Sequence, residues 1–278
     1  MIRSYTLAVL GWPVGHSRSP RLHRYWLEKT RLSGSYDAIP VKPQSLGIAL
    51  REIAFGFDGF NVTIPHKETI LPFLDDMTAE VAQVGACNTV IIKERKLFGH
   101  NTDVLGYWRG LSEQFPEIGD RKGRLVAIIG AGGAAKAVVT ALKKHSFENF
   151  CFFVRNVDAA REMTENLGLV GARILNLTGG VTSVSDEVGL VINTTPLGMT
   201  GMPRLDFPLE RLHGSPIVSD CVYTPVKTEL LSHARNLGLG VVDGVGMFLH
   251  QAAAAFTLWT GIAPPLDAQA RQLALGEA

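Results

Sequence analysis

Short apolar runs, closed by glycine, proline or small polar residues, alternate with stretches of helical spacing along this chain. Residues 6–10 form the first run, which stops at Gly11-Trp12-Pro13 and so predicts a strand feeding a loop. A helix is predicted next, with Pro20 in its first turn, Ser19 as its cap, and Leu22, Tyr25, Trp26 and Leu27 along it. Runs at 36–41, 59–64 and 89–93 read as further strands, separated by helical segments near 45–54 and 78–84. That order predicts an α/β unit of mostly parallel strands. A helix starting near Asp103 leads through Leu111 into the polar stretch 116–124. A second βα series then begins, with a continuous apolar strand at 125–129 and an alanine-rich helix at 134–142. Strands at 150–154, 188–192, 216–220 and 240–242 follow, and a last helix from Val245 carries His250 and Gln251 on an otherwise apolar stretch.

At 278 residues the chain can hold two modest domains, each with its own core. Its 46% hydrophobic and 19% charged residues are ordinary for a water-soluble globular protein. A formal net charge of +1 gives no reason to expect nucleic acid or a membrane surface as partner, so an anionic ligand would be held by placed groups. Cys87, Cys151 and Cys221 are far apart and form no CxxC pair. Neither a disulfide framework nor a zinc site is expected, and a reducing cytoplasm is the natural compartment. His16, His66 and His100 are read as loop residues without metal spacing. The first apolar run is short and lacks a small-residue cleavage site, so it reads as a strand rather than a signal peptide. Residues 244–259 are too few to span a bilayer and read as a buried helix.

Gly130-Ala131-Gly132-Gly133-Ala134-Ala135 follows a predicted strand and opens a predicted helix, the context of the GxGxxA dinucleotide fingerprint. The first glycine permits the tight turn, the second lets a pyrophosphate approach the backbone, and the alanine keeps helix and strand close. The helix N-terminus adds N–H donors and the positive end of a dipole. An NAD site would place a carboxylate at the end of the second strand. Here that end reads Phe153-Val154-Arg155-Asn156, with no acid before Asp158. A guanidinium there suits a 2′-phosphate, and therefore NADP, through charge-assisted hydrogen bonds.

Four polar clusters remain. Gly15-His16-Ser17-Arg18-Ser19-Pro20 carries two hydroxyls on alternate residues. In an extended segment they would face the same way and donate to one carboxylate, with Arg18 turned to solvent; a helix cap with a neighbouring serine is the plainer alternative. Asn61-Val62-Thr63-Ile64-Pro65-His66-Lys67 sets a cation on a loop stiffened by proline and read as extended. Such a cation is costly to desolvate without a partner or a task. Asn88-Thr89 and Asn101-Thr102-Asp103 complete the group, with Asp103 as the expected partner of Lys67. Alone, Asn88 and Thr89 would pass for turn residues and Asp103 for a helix cap.

Taken with Gln251, with Asp220-Cys221-Val222-Tyr223-Thr224-Pro225 and with the glycine-rich loop, these motifs resemble the shikimate dehydrogenase family over nearly the whole chain. The resemblance implies two α/β domains with a cleft between them. One is an N-terminal substrate-binding domain, 1–104 completed by 246–278; the other is a doubly wound, Rossmann-type NADP-binding domain, 105–245. It implies a substrate set of Ser17, Ser19, Thr63, Lys67, Asn88, Asp103, Tyr223 and Gln251, with Lys67 and Asp103 catalytic. The cofactor set it implies is Gly130, Ala131, Gly132, Gly133, Ala134, Arg155, Asn156, Thr194, Cys221, Gly244 and Met247, with no metal. The implied reaction is the reversible, NADPH-dependent reduction of 3-dehydroshikimate to shikimate, with Lys67 supplying the proton. A carboxylate neighbour favours the charged form of an amine, so oxidation, which needs a base, should speed up on the alkaline side. The family pattern near Arg155 is Asn-Arg-Thr followed by a second arginine. Val154, Asn156 and Ala159 depart from it, so the grip on the 2′-phosphate is thinner. Two alternatives stay open: a quinate/shikimate dehydrogenase of broader range, and a metabolite-sensing homologue without turnover. Both hydroxyls of the serine pair favour shikimate over quinate, and retention of Lys67 and Asp103 disfavours the sensor. A homodimer is admissible.

Overall fold

The computed structural model describes residues 3–177 and 184–276. The chain divides into two compact units, Met1–Gly106 with Leu249–Ala278, and Tyr107–Phe248.

The first unit is built on a six-stranded sheet. Its elements are β1 (Ser4–Gly11), α1 (Ser19–Lys29), β2 (Ser33–Pro40), α2 (Leu46–Gly56), β3 (Gly59–Val62), the single turn α3 (His66–Thr69), β4 (Asp76–Met77), α4 (Ala79–Val84), β5 (Thr89–Lys93) and β6 (Lys96–His100). The spatial order is β2-β1-β3-β5-β6-β4. β1 runs parallel to β2 and β3, whereas β5 is antiparallel to both β3 and β6. The sheet is therefore mostly parallel, as expected, with β5 alone reversed among its six strands. The cause is a tight β5–β6 hairpin whose two turn residues, Glu94 and Arg95, both have positive φ, as a two-residue connection that matches strand twist requires.

This reversal matters for the site. Thr89 pairs with Asn61 on one side and His100 on the other, so the start of β5 lies beside the ends of β3 and β6. The segments after β1, β3 and β6 and the one before β5 consequently meet at one edge of the sheet. Leu10, Phe60, Val62, Ile70 and Val90 form the core beneath them.

The second unit contains β7 (Leu125–Ile129), α6 (Gly133–Lys144), β8 (Phe150–Val154), α7 (Val157–Asn166), β9 (Arg173–Asn176), β10 (Val188–Asn193), β11 (Ile217–Asp220), α8 (Glu229–Asn236) and β12 (Val241–Val242). α5 (Asp103–Gln114) and α9 (Gly244–Thr260) carry the chain across the two boundaries, and α10 (Ala268–Leu275) closes the first unit. All strand pairs here are parallel, in the order β12-β11-β10-β7-β8-β9. This is the doubly wound arrangement whose ligand crevice lies where the strand order reverses, between β7 and β10. β7, β8 and β10 are buried along their whole length, which explains their unbroken apolar sequences.

Several local expectations are corrected. Ser19 is the first residue of α1 rather than its cap; Arg18 holds the cap position, and its side chain does not cap the helix. Residues 14–17 form a turn, closed by the Ser17 N–H on the Val14 carbonyl, so the serine pair is not on an extended segment. Arg18 is half-buried rather than turned wholly to solvent, and its guanidinium donates to the Ala274 carbonyl of α10 at 2.5 Å. Lys67 lies in the helical turn α3, and the extended backbone ends before it. His66 and His100 sit in α3 and β6, not in loops. His66 is fully buried with Nε2 2.7 Å from the Val41 carbonyl. Among the described residues, no helix is long and apolar enough to cross a membrane.

Candidate active site

In the first unit, Lys67 Nζ donates to Asp103 Oδ2 at 2.6 Å. The aspartate side chain is 5% exposed and the lysine 20%. Asp103 opens α5, yet its carboxylate is not spent on capping. Asn101 Oδ1 takes the N–H groups of Asp103 (3.0 Å) and Val104 (3.3 Å), and this leaves both carboxylate oxygens for side chains. The second oxygen accepts from Asn88 Nδ2 at 3.0 Å. Asn88 Nδ2 also lies 3.4 Å from Gln251 Oε1 on α9. Lys67, Asn88, Asp103 and Gln251 are thereby brought together.

Thr63 continues the β1–β3 ladder through its N–H on the Leu10 carbonyl. Its carbonyl accepts from His66 N–H, which closes the turn that presents Lys67. Ser17 and Ser19 follow β1 at the same sheet edge. Ser17 Oγ accepts the Ser19 N–H at 3.3 Å, so its own proton remains available to a ligand. Cys87, between Lys67 and Asn88 in this layer, has its thiol pushed up to about 11 by burial, and reads as packing rather than as a nucleophile.

In the second unit, Gly130 follows β7 with φ +109, a conformation side chains rarely adopt, and a Cβ there would meet Thr194 Oγ1 at 2.7 Å. Thr194 follows β10 and donates both its N–H and its hydroxyl to the Ile129 carbonyl. Gly132 precedes α6 with open space around it, and α6 has no side-chain cap, so its first N–H groups face outward. Ala131, Gly133 and Ala134 complete the loop, and fully buried Ala135 seats the helix on the sheet. Arg155, at the end of β8, is exposed. Asn156 caps α7 by accepting the Ala159 N–H at 3.1 Å, so its side-chain oxygen is already engaged.

The segment after β11 is fixed by a buried carboxylate, Asp220, which heads the motif running to Pro225. Asp220 accepts from Asn193 Nδ2 (2.9 Å), Val222 N–H (2.9 Å) and Thr228 Oγ1 (2.8 Å). Burial pushes Asp220 up to about 6, against the pull of those three hydrogen bonds. Gly244 approaches so closely that a Cβ would meet the Cys221 and Val222 carbonyls at 2.6 and 2.8 Å. Met247, Cys221 and Gly244 line one small cavity with Tyr107 and Asp220. Tyr223 stacks on Phe248 with ring centroids 4.7 Å apart. Among the described residues no cluster of His, Cys, Asp and Glu could hold a metal ion.

Two family models match the chain: the shikimate dehydrogenase substrate binding domain over residues 9–90, and the shikimate 5′-dehydrogenase C-terminal domain over 244–273. A curated shikimate dehydrogenase (NADP+) of Rhodospirillum rubrum is 40% identical over 273 residues, covering 97% of this chain and 96% of that protein. The chain belongs to the shikimate dehydrogenase family.

Two solved structures of the family frame the comparison further. Shikimate 5-dehydrogenase of Thermus thermophilus, in complex with NADP(H) and shikimate, aligns with a TM-score of 0.81 at 34% identity, covering 98% of this chain and 99% of that one. Quinate dehydrogenase of Corynebacterium glutamicum, in complex with NAD, aligns with a TM-score of 0.87 at 32% identity over the same shares. Both α/β units thus have family counterparts in which nucleotide complexes are known.

Proposed function

We propose that this protein is a shikimate dehydrogenase, which reduces 3-dehydroshikimate reversibly to shikimate with NADPH in aromatic amino-acid biosynthesis. The observation that carries the reading is the Lys67–Asp103 pair at 2.6 Å, set among Asn88 and Gln251 at the sheet edge that also bears the serine loop. The second unit fits the nucleotide: Gly132 is open, α6 is uncapped, and the end of β8 bears an arginine and no carboxylate. Gly130 to Ala134 would cradle the pyrophosphate and Arg155 the 2′-phosphate, with Thr194, Cys221, Gly244 and Met247 on the nicotinamide side. When bound, NADPH supplies a hydride to the carbonyl carbon.

The protein's share is alignment and a proton. Ser17 and Ser19 donate to the substrate carboxylate, while Thr63, Asn88, Tyr223 and Gln251 hold its hydroxyls. As charge develops on the carbonyl oxygen, the Lys67 ammonium stabilises it and then transfers a proton, completing the alcohol; Lys67 regains a proton from solvent. Asp103 fixes the ammonium in place. The three free cysteines fit a reducing compartment, the cytoplasm.

Spectrophotometric assay of shikimate and quinate, each with NADP+ and NAD+, tests the reading; turnover of shikimate with NADP+ must dominate. A quinate/shikimate dehydrogenase of broader substrate and cofactor range is the second reading, its use of NAD+ favoured by the single arginine at the end of β8. Absence of turnover with any pair would remove both.

Three variants sharpen these assignments. Ser17→Ala and Ser19→Ala each delete one donor to a charged group, which costs about 1.5–3 kcal/mol. KM for shikimate should rise accordingly, with KM for NADP+ nearly unchanged; lowered stability at unchanged KM would make the serines structural. Arg155→Ser should weaken kcat/KM with NADP+ by about ten- to a hundredfold and leave NAD+ use almost unaltered. The lower part of that range is expected, because a second arginine is missing. Equal losses with both nucleotides would assign Arg155 to the fold.

A further inference from the structure

Tyr36, near the middle of β2, belongs to none of the motifs, yet its phenol enters the polar layer under the catalytic pair. Tyr36 OH lies 2.7 Å from Asn61 Oδ1. Asn61 Nδ2 reaches the Asn88 carbonyl (3.1 Å) and Thr89 Oγ1 (3.0 Å). Thr89 Oγ1 reaches Asn88 Oδ1 (3.1 Å), and Asn88 Nδ2 reaches Asp103 Oδ1. Tyr36 and Thr89 are fully buried, and Asn61, Asn88 and Asp103 are each at most 6% exposed.

The sense of the relay is fixed at its two ends. The Asn88 carbonyl can only accept, so the Asn61 amide must turn its nitrogen there and its oxygen to Tyr36; the phenol is then the donor. The Thr102 N–H can only donate, and it lies 2.7 Å from Asn88 Oδ1. Asn88 must therefore turn its nitrogen to Asp103. Thr89, which accepts from Asn61, gives its own proton to Asn88 Oδ1 (3.1 Å) directly or to Thr102 Oγ1 (3.3 Å), whose proton then reaches the same oxygen. Four donors in series thus point one way, ending on Asp103 Oδ1, while Lys67 donates to Oδ2 from the other side. Hydrogen bonds aligned in this way polarise one another in a low-dielectric interior. The Tyr36 ring is itself clamped: it stacks on His23 with centroids 4.2 Å apart and planes 3° from parallel. His23 is fully buried and, pushed down to about 3 by that burial, stays neutral.

We infer that Tyr36 is a positioning residue of the reaction, whose hydroxyl starts a one-way relay through Asn61, Thr89 and Asn88 that sets the Asp103 carboxylate for Lys67. The inference rests on the proposed function for its kinetic consequence, and on the buried network alone for its structural one. Tyr36→Phe keeps the ring and removes only the first donor. It should lower kcat for shikimate about three- to tenfold, with KM for NADP+ unchanged. In an Asp103→Asn background the relay has lost its terminus, so the same change should lower kcat by less than about twofold. Equal factors in both backgrounds, or an unaltered kcat in Tyr36→Phe, would overturn the inference. A second readout needs no turnover: exchange of the Asn88 side-chain amide protons, followed by NMR in the ligand-free protein. The relay predicts exchange faster by about tenfold in Tyr36→Phe, and unchanged exchange would overturn it. Absence of wild-type turnover would overturn the proposed function, and the exchange experiment would then decide the relay by itself.

Discussion

Lys67→Met is expected to lower kcat by about 10²–10⁴-fold, through loss of both the proton donor and the charge that stabilises the developing alkoxide. The change keeps bulk, and α3 is a single turn at a sheet edge, so the sheet itself should persist. It also leaves Asp103 without its cation. Because the aspartate is buried and the lysine only one-fifth exposed, some stability should be lost as well. Thermal unfolding therefore has to accompany the kinetics. A folded variant with more than about a tenth of wild-type turnover would remove Lys67 from the proposed mechanism.

The second large effect concerns stability and pH. Burial raises Asp220 from 3.8 to about 6. A group whose folded value is raised contributes stability that is fully present below the unfolded value and is lost as pH rises through the folded one. The loss should therefore fall between about pH 4 and pH 6, and a displacement of that size corresponds to about 3 kcal/mol. Asp220→Asn should remove the dependence. Its oxygen can still accept from Asn193 and Val222, with Thr228 Oγ1 turning from donor to acceptor. Denaturant unfolding at pH 5 and pH 8 checks this: the variant should gain on the wild type at pH 8 and show a flatter profile. Equal destabilisation of the variant at both values would mean that the ionised carboxylate is itself the better acceptor.

What could be read from the chain followed burial. β7 and β8 occupy the residues that their apolar runs mark out, 125–129 and 150–154, because strands buried on both faces need unbroken apolar sequence. β6 and β9 carry lysine, histidine, arginine and asparagine and gave no such signal. The β5–β6 hairpin turns on Glu94-Arg95, where an Asn-Gly pair would have announced it, so the antiparallel reversal was invisible. The serine loop departs from expectation for a related reason: alternating hydroxyls suggest extension, whereas Pro13 leads into a turn that contains Gly15. Motif residues at the sheet edge could be named because they occur in dense polar words. Tyr36 could not be weighed, since a tyrosine in an apolar strand looks like ordinary packing until its partners are known, and Asp220, although it heads a motif, gives no sign in the sequence of the three donors that hold it.

The make-up of the first unit has a consequence for the order of events during synthesis. It joins residues far apart in the chain: Trp259 Nε1 donates to the Val90 carbonyl, and Arg18 to that of Ala274. The second unit is one uninterrupted segment, Tyr107–Phe248. A chain leaving the ribosome therefore offers β1 to β6 long before α9 and α10 exist to cover them, while the nucleotide unit is already whole. Closing the ends over an unstructured intervening stretch would cost far more loop entropy than closing them over a folded one. Prior folding of the interior segment thus favours the long-range contacts by which α9 and α10 complete the layer that β1 to β6 begin.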